Sequence, residues 1–214
     1  MPESQKIPIF PLPIVVFPDE ELRLHIFEPR YKQLIQDCRS QGVAFGIIPV
    51  IQNRMMDIGT LVRLDEVVKE YEDGRMDIKL SSLELFNVLE FFDTYSGKLY
   101  SAAAIQLIDH DSTENLERKQ LVMSLFNELC EINHAKPYHP ISWELFQSYK
   151  LGHYVGFTLE EEYRFCVLRT ETERMDKLIQ QLEYMIGNSK QRQEWLKRIH
   201  MNGEFKDFNI QDLK

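Results

Sequence analysis

The chain has 214 residues, 43% of them hydrophobic, which suits one compact domain or two small ones and argues against a disordered or fibrous protein. Its 34 acidic and 25 basic residues leave a formal net charge of −9, which disfavours nucleic acid as a partner, because phosphate binding needs clustered Lys and Arg. Cys38, Cys130 and Cys166 are too few and too far apart for a disulfide framework. The apolar stretch behind Met1–Lys6 is broken by Pro8, Pro11 and Pro13, which argues against a signal peptide. No run approaches the ~18 apolar residues that span a bilayer. These features predict a cytoplasmic protein without a membrane segment.

Along the chain, residues up to about 108 read mostly as strand. Lys6–Phe10 and Leu12–Phe17 are short β-branched or aromatic stretches punctuated by proline, which places them at sheet edges and turns. Pro29 suits a first helical turn, and Tyr31, Leu34, Ile35 and Cys38 follow at helical spacing, predicting one helix in this half. Val43–Val50 is a continuous apolar run, as in a strand buried on both faces. Thr60–Tyr71 and Arg75–Phe92 flank Glu72-Asp73-Gly74, whose Asp-Gly pair predicts a hairpin. Lys98–Ile108 is the last expected strand.

After the polar segment Asp109–Thr113 the period changes from two to 3.6. Val122, Leu125, Phe126, Leu129 and Ile132 line one helix that ends near Lys136-Pro137. Ser142 can cap a second helix carrying Trp143, Phe146 and Tyr149. Thr158-x-x-Glu161 and Thr170-x-x-Glu173 are capping-box patterns for a third and a fourth. The fourth presents Met175, Leu178, Ile179, Leu182, Met185 and Ile186 on one side and can continue through Trp195 and Ile199, with Asn202-Gly203 as a plausible stop. The expected division is a β-rich subdomain over 1–110 and a helical subdomain over 111–214.

The run Ile7-Pro8-Ile9-Phe10-Pro11-Leu12-Pro13 leads into His25-Ile26-Phe27-Glu28-Pro29-Arg30-Tyr31. Phe45-Gly46, Gly59-Thr60, Asp73-Gly74-Arg75 and Glu173-Arg174-Met175 follow in order. Together they resemble the amino-terminal, substrate-binding domain family of the Lon protease, over about residues 6–200. Ser81–Phe86 departs from that pattern, where a Gly and an Arg-Phe pair are usual. The resemblance implies an α+β fold, a PUA-like β pseudo-barrel followed by an α-helical bundle. It implies His25, Phe27, Glu28, Pro29, Arg30 and Tyr31 as a structural family motif. It also implies a stand-alone, non-catalytic protein-binding role: recognition of unfolded or tagged polypeptides, with an ATP-dependent protease in trans as a candidate partner. The alternative is an RNA-binding PUA-like module, carried by fold analogy.

No G-x-x-x-x-G-K-[ST] loop and no G-x-S-x-G elbow occurs, so neither a phosphate cradle nor that nucleophile is expected, and no cofactor. His25, Glu28 and Arg30 can be drawn as an acid–base pair with an anion-stabilising Arg, but they read better as a strand-to-helix junction. Cys130, His134 and His139 have a metal-like spacing, and a buried thiol with two loop histidines is the simpler reading. Trp143, Phe146, Tyr149, Tyr154 and Phe157 can stack nucleobases or form core. Glu160-Glu161-Glu162 reads as a solvated first turn of a helix. For peptide binding, the outer side of the helix beginning at Pro29 offers Arg30, Gln33, Gln36 and Asp37. They lie next to proline-rich segments that could accept an added strand.

Overall fold

The computed structural model describes residues 5–95, 97–109, 111, 113–135 and 146–204. The chain divides into two compact units, Met1–Ser112 with Gly152–Thr170, and Thr113–Leu151 with Glu171–Lys214.

The first unit is built on strands β1 (Gln5–Leu12), β2 (Glu21–Ile26), β3 (Phe45–Ile51), β4 (Arg54–Met55), β5 (Ile58–Glu70), β6 (Met76–Phe92) and β7 (Ser101–Leu107). Its sheet runs β1-β7-β6-β5-β3-β4, and β1 also pairs with β3, so β1, β7, β6, β5 and β3 close into a ring. Only the β1–β3 pair is parallel. One apolar cluster draws on each ring strand through Ile9, Ile48, Leu61, Phe86 and Ala103. Phe86 sits against Gly46 and Gly59, where an added Cβ would come within 2.5 Å and 2.6 Å of its ring. A second cluster joins Ile26, Met76, Ile78 and Leu80 to Tyr31, Leu34, Ile35 and Cys38. Those last four residues are the buried side of helix α1 (Pro29–Gln41), which ends at Gly42 with φ 67°.

The expected edge position of the first strand is corrected, since β1 has strands on both sides. Its pairing with β7 covers Gln5–Ile9 and its pairing with β3 covers Ile9–Leu12, so they overlap only at Ile9. Pro8 and Pro11 each lie where only one neighbour pairs, so a missing N–H need not break a ladder. Residues 13–17, expected as strand, form a bend and coil. The expected strand Val43–Val50 is β3, buried on both faces. Between β5 and β6, Gly74 with φ 76° donates its N–H to the Tyr71 carbonyl, a three-residue loop with glycine at the left-handed position. Gln52 and Asn53, with φ 50° and 62°, make the tight β3–β4 turn.

Segment 152–170 is the middle of the expected helical half, yet it groups with the strands. Helix α3 (Leu159–Cys166) buries Phe165 and Cys166. The Phe165 ring meets Phe17 edge-on at 5.6 Å, and the Ile58 N–H donates to the Tyr163 hydroxyl at 3.3 Å. The placement of all of 111–214 in one helical subdomain is thereby corrected: apolar side chains from Gly152–Thr170 complete the core around Phe17.

In the second unit, helices α2 (Leu116–Ile132) and α4 (Glu171–Glu204) lie side by side. Arg118 pairs with Asp176, Glu128 with Lys190, and the Ile132 carbonyl accepts from Gln193. Both residue series rise together, so the two helices run in the same direction. Met175, Leu178, Leu182 and Ile186 are buried, whereas Trp195 is 63% exposed. Beyond Gln193, α4 continues through Asn202-Gly203 to Glu204, about 16 Å past the end of α2 at ~1.5 Å per residue. In place of the expected helix through Tyr149 there is a 3-10 helix, Ser148–Tyr154. Ser142 and Trp143 lie outside the described residues.

A buried ion pair ties that 3-10 helix to α4. Arg174, 1% exposed, contacts Glu171 at 2.9 Å. Glu171 accepts from the Ser148 N–H at 2.8 Å and from its hydroxyl at 2.6 Å, and the Arg174 guanidinium lies 4.4 Å from the Tyr149 ring centre. Breaking such a pair is costly because the remaining charge stays buried.

Candidate recognition site

The junction from β2 into α1 carries the motif read from the sequence. Ile26 is buried and Phe27 is 60% exposed. Glu28 precedes the helix with φ −73° and ψ 137°, its carbonyl accepting from the Tyr31 and Lys32 N–H groups. Pro29 occupies the first turn, where no N–H is needed. The Glu28 carboxylate makes no side-chain cap and instead accepts from Arg30 Nε at 2.9 Å. Tyr31 turns inward and stacks on Phe10 at 3.8 Å. Burial raises its pKa; Glu28 adds to that and Arg30 opposes it.

His25 does not join Glu28 and Arg30. Its Nδ1 lies 2.6 Å from Asp77, directly across the β2–β6 pair. Asp77 also accepts from the Tyr71 hydroxyl at 2.8 Å. The His25 bond, followed by the Tyr71 bond, holds the Asp77 carboxyl below its usual range. The acid–base arrangement drawn from His25, Glu28 and Arg30 therefore separates into two structural pairs. The His25–Asp77–Tyr71 cluster was not legible in the sequence, because it depends on strand register.

The outer residues of α1 divide in the same way. Gln33 accepts from the Leu99 N–H at 2.7 Å. Asp37 accepts from the Tyr100 hydroxyl at 2.7 Å and meets Lys98 at 2.8 Å. These bonds fasten α1 to the segment before β7. Lys98 and Tyr100 hold the Asp37 carboxyl low despite its partial desolvation. On the other flank, Lys32 donates to the Asp73 carbonyl at 2.8 Å. Arg30 and Gln36 remain exposed, Arg30 being engaged by Glu28.

Two strands have a single partner, the two-residue β4 on β3 and the longer β2 on β6. The Ser82 N–H donates to the Glu20 carbonyl at 2.8 Å. With an unbroken register from Glu21↔Ser81 to Ile26↔Met76, this fixes the alternation of the ladder. Leu22, Leu24 and Ile26 turn their backbone groups towards β6. Glu21, Arg23 and His25 turn theirs away.

The other constellations weighed from the sequence fall as follows. Cys130 is on α2, its thiol pushed up by burial, while His134 stands past the helix end with φ 52°. His139 lies outside the described residues, among which no group of His, Cys, Asp and Glu could hold a metal ion. Of the aromatic set, Phe146 and Tyr149 are buried and offer no stacking face to a base, Phe157 is partly buried and Tyr154 is exposed. In Glu160-Glu161-Glu162, Glu161 closes the capping box with Thr158, Glu160 pairs with Arg164, and Glu162 accepts from His153. Among the described residues no helix is long and apolar enough to cross a membrane.

Comparison with known proteins identifies the assembly. The family model described as the ATP-dependent protease La (LON) substrate-binding domain matches residues 6–213. A Lon N-terminal domain protein from Xanthomonas campestris is similar in structure, with a TM-score of 0.65 at 20% identity, over 82% of this chain and 97% of that one. The N-terminal domain of the Mycobacterium avium complex Lon protease gives 0.60 at 12% identity, over 84% of this chain and 98% of that one.

Proposed function

This chain belongs to the ATP-dependent protease La (LON) substrate-binding domain family, and from that premise we propose that it is a non-catalytic, cytoplasmic module that holds unfolded or tagged polypeptide. The observation that carries the reading is the family match along nearly the whole sequence. The chemistry of the junction supports it. His25 is bonded to Asp77 and Arg30 to Glu28, and the Tyr71 hydroxyl beside His25 is itself donated to Asp77. Buried Cys38, its thiol pushed up to about 12 mainly by desolvation, is inert at neutral pH. Recognition is the role that needs none of these groups to react, and an ATP-dependent protease in trans is the partner that would process what is bound. Of the four α1 residues expected to meet a ligand, Gln33 and Asp37 fasten the helix to its neighbour and Arg30 is held by Glu28, which leaves Gln36.

The test is titration of a reduced, unfolded model protein, followed by fluorescence anisotropy. A dissociation constant on the order of micromolar is expected, typical of transient recognition. The same preparation is expected neither to hydrolyse ATP nor to cleave casein. Absence of binding at high protein concentration would overturn the recognition reading, and turnover that survives repeated purification would overturn the non-catalytic one.

A further inference from the structure

The unpaired side of β2 has properties that specify what can occupy it. Glu21, Arg23 and His25 present N–H and C=O groups there at a spacing of about 6.8 Å, two residues of extended chain. Only another extended backbone matches that repeat of alternating donors and acceptors. The opposite open stretch of the sheet, on β5, is poorly suited: its register with β6 shifts between Leu64 and Glu66 and again between Val67 and Lys69. Bulges of that kind twist an edge away from further pairing. β2 has neither a register shift nor a proline.

Side chains along β2 narrow the choice further. On its inner face Leu22 and Leu24 pack against the α1 cluster but are only partly buried. An added strand with apolar residues at the matching positions would cover their exposed parts. On the outer face, Glu21 is paired with Lys79 at 2.7 Å and His25 with Asp77 at 2.6 Å. Arg23 sits between them, directly opposite Lys79 in the register, and has no carboxylate partner among the described residues. Lys79 has Glu21 as its partner and Asp65 nearby, whereas Arg23 faces the like charge of Lys79, which favours an acidic side chain on the open side of Arg23. Phe27 continues this outer face beyond the strand.

We infer that β2 accepts an extended polypeptide segment as an added antiparallel strand, with an acidic residue opposite Arg23 and apolar residues on either side of it. The inference rests on the recognition reading above and assigns it a location and a sequence preference. The antiparallel sense follows that of the β2–β6 pair and the slightly better energetics of antiparallel ladders.

The probe is a nine-residue peptide in which threonine and valine alternate from threonine at each end, with a central glutamate flanked by valines. It is compared with the same peptide carrying lysine there, and with two forms N-methylated at alternate backbone positions. All are titrated against the wild type and Arg23→Glu, with the unfolded model protein run in parallel. Methylating the amides that face β2 is expected to weaken binding at least tenfold, from loss of two or more hydrogen bonds, while methylating the amides that face away leaves it unchanged. Exchanging glutamate for lysine is expected to weaken binding by about threefold, and Arg23→Glu to reverse that preference, as for an exposed ion pair. Amide exchange of Arg23 and His25 is expected to slow on binding, while Leu22 and Leu24, already bonded to β6, do not change. Equal binding by both methylated forms, or binding that leaves the Arg23 amide unprotected, overturns the β2 site. If the unfolded protein binds while the peptides do not, the β2 site falls and the recognition reading stands. If neither binds, both fall.

Discussion

His153→Gln removes the one imidazole that holds Gly152–Thr170 to the strands of its own unit. The His153 ring packs on Phe17 at 4.3 Å, with Nδ1 2.8 Å from Glu162 and Nε2 3.3 Å from Glu20. Glu20 in turn accepts from the Phe17 N–H, and its own N–H donates to the Ser82 hydroxyl. Burial by itself would push the imidazole down, but bonds to Glu20 and Glu162 outweigh it and raise the pKa to about 9. Against the ordinary 6.5 that gap corresponds to about 3.4 kcal/mol in a sealed site, at about 1.4 kcal/mol per pH unit. The side chain is 33% exposed, so solvent screening reduces the expected contribution to about 1–2 kcal/mol. Because the folded pKa lies above the unfolded one, the contribution is complete below pH 6.5 and is lost as pH rises through about 9. Urea unfolding followed by far-UV circular dichroism at intervals from pH 6 to 10 measures it, as wild type minus His153→Gln. The difference is expected to be largest at pH 6 and to shrink steadily towards pH 10. A difference that stays constant, or grows, across that range would refute the charged-clamp account.

Two further outcomes follow from close packing and buried charge. Gly46→Ala is expected to cost about 1–3 kcal/mol, because its Cβ must displace the fully buried Phe86 ring; equilibrium unfolding checks this, and an unchanged midpoint would mean that the ring has room to move. Arg174→Ala is expected to destabilise the helical unit by about 3–5 kcal/mol, with Glu171 left buried and unpaired. A double variant that also replaces Glu171 with leucine should recover part of that loss in the same assay.

Much of the first unit was legible because its strands obey local rules. The apolar run around Phe45–Val50 and the Asp73-Gly74 turn required no tertiary information, and neither did the inward stripe of α1 or the Thr158–Glu161 capping box. The misjudged elements depend on neighbours. The prolines of β1 suit an edge when a strand is assumed to have a partner along its whole length on both sides, and here its two partners divide the strand between them. β2 has a clear alternation in Leu22, Leu24 and Ile26, yet its significance as the open edge depends on β6 pairing with β7 further along. Gln33 and Asp37 look like free polar surface in a helical projection. Only the path of Lys98–Tyr100 past the helix shows them to be fasteners. The return of Gly152–Thr170 to the strands had no local signal at all, since α3 is an ordinary capped helix by sequence.

That return has a consequence for the order in which the molecule can be made. A ribosome that has released Leu107 has supplied every strand of the ring, including the first and last, which lie nearly a hundred residues apart and must meet to close it. The unit is still incomplete at that stage, because Phe165 and Cys166, which cover Phe17 and Val16, are some sixty residues away. Between them comes Thr113–Leu151, which belongs to the other unit and is itself waiting for α4. The first unit can therefore be completed only after Thr113–Leu151 has been made and left without its partner helix, and a fragment cut after the seventh strand would leave Phe17 uncovered where α3 belongs. In such a chain the first unit has all its parts only once Thr170 is made, and the second only after α4 has followed.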